Sequence, residues 1–306
     1  MGSVVVRYGL IIPSRNSSVS FIASRTCYYL ISQLSQCAIV VAYFCGSDIV
    51  RADGFTCRLL KKYLRTTNYA VMASTNVQRA FMEKMGHLDG CKQTTIRLGI
   101  SVFSNIDGEI AHSSIEKCKS NLGISTEKIT ICIGYGGSKS QNHLRVLEQI
   151  KMMPPDIKEK IIVMLPMTYG STEKYITQVE VAAKETGVKF IVFKEYMQHE
   201  IIAQFRLATD IFINAQTSDG LSGSVLETLY AGALLLNASW LHYVEYDIWG
   251  LKYSTFSRFE DLPRLLADVI HVPFVRRQEN REILAGTMSW EQCKNAWDAL
   301  LGSGNP

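Results

Sequence analysis

Arg206 to Ser239 reads RLATDIFINAQTSDGLSGSVLETLYAGALLLNAS. Within it, TDIFINA (209–215) is an apolar run of strand type. It enters a turn of small polar residues, TSDGLSGS (217–224), from which a helix starts near Ser224 and leads to a second apolar run, ALLLNA (233–238). A strand buried on both faces, a glycine-rich turn and a helix make an α/β unit. The first N–H groups of a helix lack intrahelical acceptors, and the helix dipole adds positive potential there. Gly220, Ser222, Gly223 and Ser224 therefore offer a phosphate close approach to the backbone. Glu227 sits one turn into the helix, where a carboxylate can accept hydrogen bonds from a ribose diol, and Asp219 lies eight residues earlier on the turn. A plainer reading stands beside this one: Asp219 and Ser222 cap the helix, and Glu227 is an early acid favoured by the dipole.

The same alternation runs outward in both directions. Strand-like runs stand at 4–12, 37–44, 68–74, 128–135, 160–166 and 188–193, with TTIRLGI (94–100) as a weaker one, and helices are expected at about 20–34, 57–66, 75–86, 141–152, 171–186, 197–206, 223–232 and 260–271. This predicts an α/β protein with parallel sheets. Strand character lapses over 104–126, which sets a boundary between a short first domain (1–122) and a second Rossmann-like domain (123–285). The tail, 286–306, is expected to be a helix that can cross back to the first domain, with Trp290 and Trp297 as packing residues.

Composition narrows the class. Of 306 residues, 47% are apolar and 20% charged, which excludes a disordered chain, a collagen and a small disulfide scaffold. Residues 1–120 hold 14 Lys/Arg against 7 Asp/Glu, and the remainder 18 against 21, so a net +7 and a net −3 give the overall +4. The basic half suits an anionic partner; the absence of any recognisable nucleic-acid module argues against nucleic acid. The basic amphipathic segment 57–66 suits an anionic membrane surface, or is simply a surface helix. Eight cysteines occur singly, without metal-ligand spacing, and the N-terminus lacks a signal-peptide pattern, so a cytoplasmic protein is expected.

The central segment resembles the retaining glycosyltransferases of family 4, whose GT-B fold places two Rossmann-like domains across a cleft. Their signature is two acids with seven residues between them, standing here as Asp219-GLSGSVL-Glu227-TLYAGALLL. GSDIV (46–50), ASTNVQRAFMEKMG (73–86) and IRLGIS (96–101) resemble segments of that family's first domain. GYGGSKSQNHLRVLEQI (134–150) and VMLPMTYGSTEKYITQV (163–179) are similar to the bacterial transferases that add 4-acetamido-fucose to a lipid-linked intermediate, which share the fold but invert.

The resemblance implies a nucleotide-diphospho-sugar donor, no metal or other cofactor, and a carbohydrate or lipid-linked acceptor. Glu227 would hold the donor ribose, and Asp219, a shorter acid than the family's glutamate, the sugar hydroxyls. Gly136, Gly137 and Lys139 would meet the diphosphate, although the family's arginine is replaced by Tyr135; Lys139 can equally be a solvated loop lysine. His143 would bond a phosphate or cap its helix, and Tyr196 would lie near the base. Asp48, in a turn where the family often has His-Gly-x-Asp, would be the base of an inverting reaction or a turn residue bonding its own backbone; a retaining reaction needs no protein base. Only about 45 residues precede that turn, so the first domain is expected to be reduced or truncated and open to completion by a protein partner. Two other classes stay open: a non-catalytic nucleotide-sugar-binding subunit, and a nucleotide-sugar 2-epimerase.

Overall fold

The computed structural model describes residues 19–22, 39–65, 67–272 and 275–302. Its first sheet is parallel, with β1 (Val19–Ile22), β2 (Ile39–Phe44), β3 (Tyr69–Met72) and β4 (Lys92–Thr95) in that order. Val19–Ile22 falls at the start of the helix expected at 20–34 but pairs in parallel with Ile39–Ala42; the strand expected at 4–12 lies outside the described residues. Between the strands run α1 (Ser47–Val50), α2 (Gly54–Leu64) and α3 (Thr75–Met85). The last two bury Cys57, Leu60, Leu64, Val77, Phe81 and Met85 on one face of the sheet. Asp53 and Ser74 cap their N-termini by accepting from Thr56 N and Val77 N.

The stretch after β4, expected to be a break, is helical: α4 (Val102–His112) and α5 (Ile115–Asn121). Val102, Phe103, Ile106 and Cys118 belong to the larger core, and the Phe103 ring stacks on Tyr230 at 3.8 Å. The chain therefore enters the second core ahead of the boundary read at 122/123. That core surrounds a six-stranded parallel sheet built from β5 (Ile129–Ile133), α6 (His143–Lys151), α7 (Pro155–Lys158), β6 (Ile161–Pro166), α8 (Glu173–Glu185), β7 (Lys189–Phe193), α9 (His199–Ala208), β8 (Ile211–Asn214), α10 (Gly223–Tyr230), β9 (Leu234–Ala238), α11 (Val244–Trp249) and β10 (Ser254–Phe256), closed by α12 (Leu262–Ile270) and α13 (Gln278–Met288). The strand order is β10-β9-β8-β5-β6-β7. It reverses between β5 and β8, and in open parallel sheets the crevice at the carboxyl ends of such a pair is where ligands bind.

The last helix, α14 (Trp290–Gly302), returns to the first sheet. Trp297 and Leu300 pack on Val41, Tyr43, Val71 and Ile96, and the Trp297 indole N–H donates to Arg97 O at 2.9 Å. Trp290 instead keeps its ring half in solvent, while its backbone passes so close to Gly99 that a Cβ there would lie 2.3 Å from Trp290 Cα.

Two buried polar features hold the second sheet. Asp210, at the start of β8, accepts from Lys119 Nζ at 2.6 Å, Arg276 Nη2 at 3.1 Å and Thr130 N at 2.8 Å. Replacing it with alanine removes the buried carboxylate that Lys119 and Arg276 share, so Asp210→Ala is expected to cost about 3–5 kcal/mol in urea unfolding. His143, expected as a phosphate ligand or helix cap, is fully buried in the first turn of α6, with Nδ1 3.3 Å from the Tyr175 hydroxyl and no partner at Nε2. Burial pushes its pKa down to about 4. The unfolded imidazole, near pH 6.5, takes up a proton that the folded one refuses, so stability present above that pH is lost as pH falls toward about 4. Unfolding titrations at pH 7 and pH 4.5 should show His143→Leu losing less stability than the parent, by roughly 2–3 kcal/mol.

Candidate functional site

The carboxyl ends of the two sheets face each other, and the loops after β2, β3, β5 and β8 meet between them. At Gly220 the two halves pack with no room for a side chain. A Cβ on Gly220 would lie 2.7 Å from Val77 Cγ2, 3.0 Å from Gly46 Cα and 3.1 Å from Cys45 O. Around this contact Arg51 donates from Nε to Ser218 Oγ (3.1 Å) and from Nη2 to Ser218 O (2.8 Å), and Ser74 Oγ donates to Gly220 O (3.3 Å). Further along, Thr75 N at the head of α3 donates to Glu245 Oε1 at 2.6 Å; Glu245 is fully buried and its Oε2 has no partner. The contact divides the cleft into two pockets of about 290 Å³ each. Gly46, Arg51, Tyr135, Tyr169 and Asp219 line the first, and Tyr43, Arg97, Ser101, Gly223 and Glu227 the second.

Asp219 and Glu227 have different surroundings. The Asp219 carboxylate accepts from Tyr243 Oη at 2.7 Å and Gly220 N at 2.9 Å, with Tyr135 Oη at 3.4 Å. Behind these hydroxyls Gln216 donates to Tyr135 Oη (2.7 Å), and Asn214 to both Tyr243 Oη (3.1 Å) and Asn237 Oδ1 (2.9 Å). Burial raises the Asp219 pKa, against the lowering effect of the Tyr243 hydrogen bond. Glu227 is gripped from one side only. Arg206 donates from Nε (3.1 Å) and Nη2 (3.0 Å) to the same oxygen, Oε2, so Oε1 carries no bond from Arg206. The helix of Glu227, α10, starts at Gly223 behind Ser222, whose side chain makes no cap hydrogen bond. Ser224 O is engaged by Thr228 Oγ1 at 2.7 Å.

The other expected residues lie apart from this group. Asp48 accepts from its own turn: Gly46 N at 2.7 Å, Cys45 N at 3.1 Å and Ile49 N at 3.2 Å. Its pKa is raised by burial, which these N–H groups oppose. Gly136 and Gly137 give the loop room to pack on the β6–α8 connection: a Cβ would lie 3.0 Å from the Tyr169 ring at the first and 2.4 Å from Ser171 Cβ at the second. Lys139 Nζ stands 5.8 Å over the Tyr175 ring and lines neither pocket. Tyr196 is 62% exposed and also outside both. Arg51, Arg97 and Arg206, along with the two tyrosines on Asp219, do not stand out in the sequence. Arg51 had a signal, three residues after Asp48 in the same turn; the others come from elements distant in sequence. Among the described residues no cluster of three or more His, Cys, Asp or Glu is placed to hold a metal ion, and no helix is long and apolar enough to cross a membrane.

No family model and no curated protein sequence matches the chain. Solved structures do. The α,α-trehalose 6-phosphate synthase of Burkholderia multivorans aligns with a TM-score of 0.70 at 10% identity, covering 95% of this chain and 71% of that one. Sucrose-phosphate synthase from Thermosynechococcus elongatus gives 0.72 at 11%, covering 94% and 74%. HepE from Anabaena, solved with UDP and glucose, gives 0.69 at 14%, covering 92% and 78%. At such identities the likeness is one of fold: two parallel α/β sheets facing a cleft, the GT-B arrangement.

Proposed function

We propose that this chain is a glycosyltransferase that moves a sugar from a nucleotide-diphospho-sugar to an acceptor hydroxyl with retention of configuration. The observation that carries the reading is the head of α10. Its N-terminus lacks a side-chain cap, and Glu227 one turn in leaves Oε1 clear of the Arg206 clamp beside the second pocket. That pairing suits a ribose held by a carboxylate and a diphosphate held by N–H groups. Arg97, on the same pocket, supplies the cation expected of Lys139. Positioned dipoles and one arginine would stabilise the departing diphosphate without calling on a metal ion.

The sugar would lie toward Asp219 in the first pocket, where Arg51 and Gly46 come from the other sheet. Asp48 turns its carboxylate to three N–H groups of its own turn and lines neither pocket, so it is not presented to an acceptor hydroxyl, which favours a retaining course in which the leaving diphosphate takes the acceptor proton. The fold neighbours include a protein solved with UDP and glucose and a trehalose-phosphate synthase solved with glucose-6-phosphate, in keeping with a nucleotide donor and a sugar acceptor. A surface-polysaccharide or lipid-linked acceptor follows from the resemblance in sequence. It is helped by the outer face of α2, where Arg58, Lys61 and Lys62 are exposed beside Phe55 and Leu59. A nucleotide-sugar-binding subunit without turnover is the second reading, favoured by Asp48, the expected base, lining neither pocket.

Thermal unfolding with UDP, GDP, dTDP and their sugar conjugates tests the donor site. One nucleotide at about 100 times its dissociation constant should add roughly 2.7 kcal/mol to stability. Failure of all of them would overturn the reading. For the nucleotide that binds, Glu227→Gln should weaken affinity by about 1–3 kcal/mol in calorimetry. Slow hydrolysis of the matching nucleotide-sugar would separate an enzyme from a binding subunit.

A further inference from the structure

A third cavity opens beyond the first pocket, at the carboxyl ends of β9 and β10, with a volume of about 430 Å³. Asn142, Arg145, Thr217, Trp240, Arg258 and Phe259 line it, and none of them lines either of the other two pockets. Trp240 is 41% exposed, yet it is held firmly. Its indole N–H donates to Gln216 O at 2.8 Å, and its ring sits against Phe256 (5.6 Å, 84°) and Phe259 (5.5 Å, 36°). Arg145 is stacked on the same cluster, its guanidinium carbon 3.9 Å from the Phe259 ring centre. A stacked guanidinium keeps its N–H edge for an acceptor. None of the ion pairs among the described residues involves Arg145. Arg258 adds a second cation, 73% exposed and 3.4 Å from Asp261, and Glu260 puts one carboxylate on the rim.

We propose that this cavity is a binding site for a sugar carrying a carboxylate or a phosphate, with Trp240 under the apolar C–H face of the ring and Arg145 on the anion. The chemistry follows from the pairing. A fixed aromatic face without a charge would take any flat apolar group, and a lone arginine any anion; a rigid indole beside a rigid guanidinium selects a ligand that has both. The polar Asn142 and Thr217 beside them offer partners for ring hydroxyls. Because Trp240 is pinned by the carbonyl of Gln216, a residue that also lines the first pocket, a sugar here would lie next to the proposed transfer site. The inference does not depend on that reaction, since donor binding and this site use different residues.

Saturation-transfer NMR and tryptophan fluorescence with glucuronate, glucose 6-phosphate, neutral glucose and inorganic phosphate as probes test it. Glucuronate or glucose 6-phosphate should bind saturably, at least about tenfold tighter than glucose and than inorganic phosphate, a gap of about 1.4 kcal/mol. The better of the two names the acid. Arg145→Gln should remove about tenfold or more of that affinity, and Trp240→Ala a similar amount, with UDP binding and thermal midpoint unchanged in Arg145→Gln. Arg145 is exposed, so its variant keeps the test alive should Trp240→Ala fail to fold. The proposal fails if neither charged sugar binds, if neutral glucose or inorganic phosphate binds equally well, or if Arg145→Gln binds as the parent does.

Discussion

The two halves of the molecule meet where Gly220 has no side chain. Its backbone lies against Gly46 and Val77 so closely that even a methyl group would overlap them, and this contact decides what the cleft is. Loops at the carboxyl ends of two parallel sheets would ordinarily enclose one continuous groove. Here the turn after β8 touches the turn after β2, and the groove becomes two pockets that share Cys45 and Leu221 at their border. The sheet order supplies the reason that this turn is the one to do so: the connections from β5 and β8 diverge to opposite faces, leaving a crevice between them.

On either side of that contact the protein treats two carboxylates in opposite ways. Asp219 is surrounded by hydroxyls and an N–H that use its acceptor capacity, and the hydroxyls are themselves oriented by Asn214 and Gln216. It is a rigid and costly feature, held by a connected chain of side-chain hydrogen bonds in which only the outer oxygen of the Asn214 amide, Oδ1, goes without a partner. Glu227 has a single strong partner on a single oxygen. An arginine locked onto one edge fixes the rotamer and charge of a carboxylate while leaving its other edge for a ligand, which is the geometry of preorganisation rather than of simple stabilisation.

How much of this could be read in advance follows from where each signal comes from. Strands β5, β6, β8 and β9 are covered on both faces, so their residues are nearly all apolar and stand out in the sequence. The Lys92–Thr95 strand is an edge, polar and half exposed, and the apolar pattern instead pointed a few residues downstream. α4 was obscured for a similar reason, since its buried contacts, Val102, Phe103 and Ile106, form a narrow stripe among Ser, Asn, Asp and Gly. In the site, the turn and helix that carry Asp219 and Glu227 were visible because their signal is local. The partners were not: Arg206 is 21 positions from Glu227, and Tyr135 84 from Asp219, and only the folded chain brings them together.

Among the links between the halves, the bond from Thr75 N to Glu245 has a particular consequence. It makes a carboxylate of one half a second cap, beside Ser74, for a helix in the other, so separating the halves takes the acceptor from Thr75 N. Such caps contribute about 0.5–2 kcal/mol, a sum that thermal motion overcomes many times a second. The Thr75 amide hydrogen is then a built-in reporter: its exchange with solvent deuterium follows the parting of the two sheets, and any molecule that bridges them will slow it.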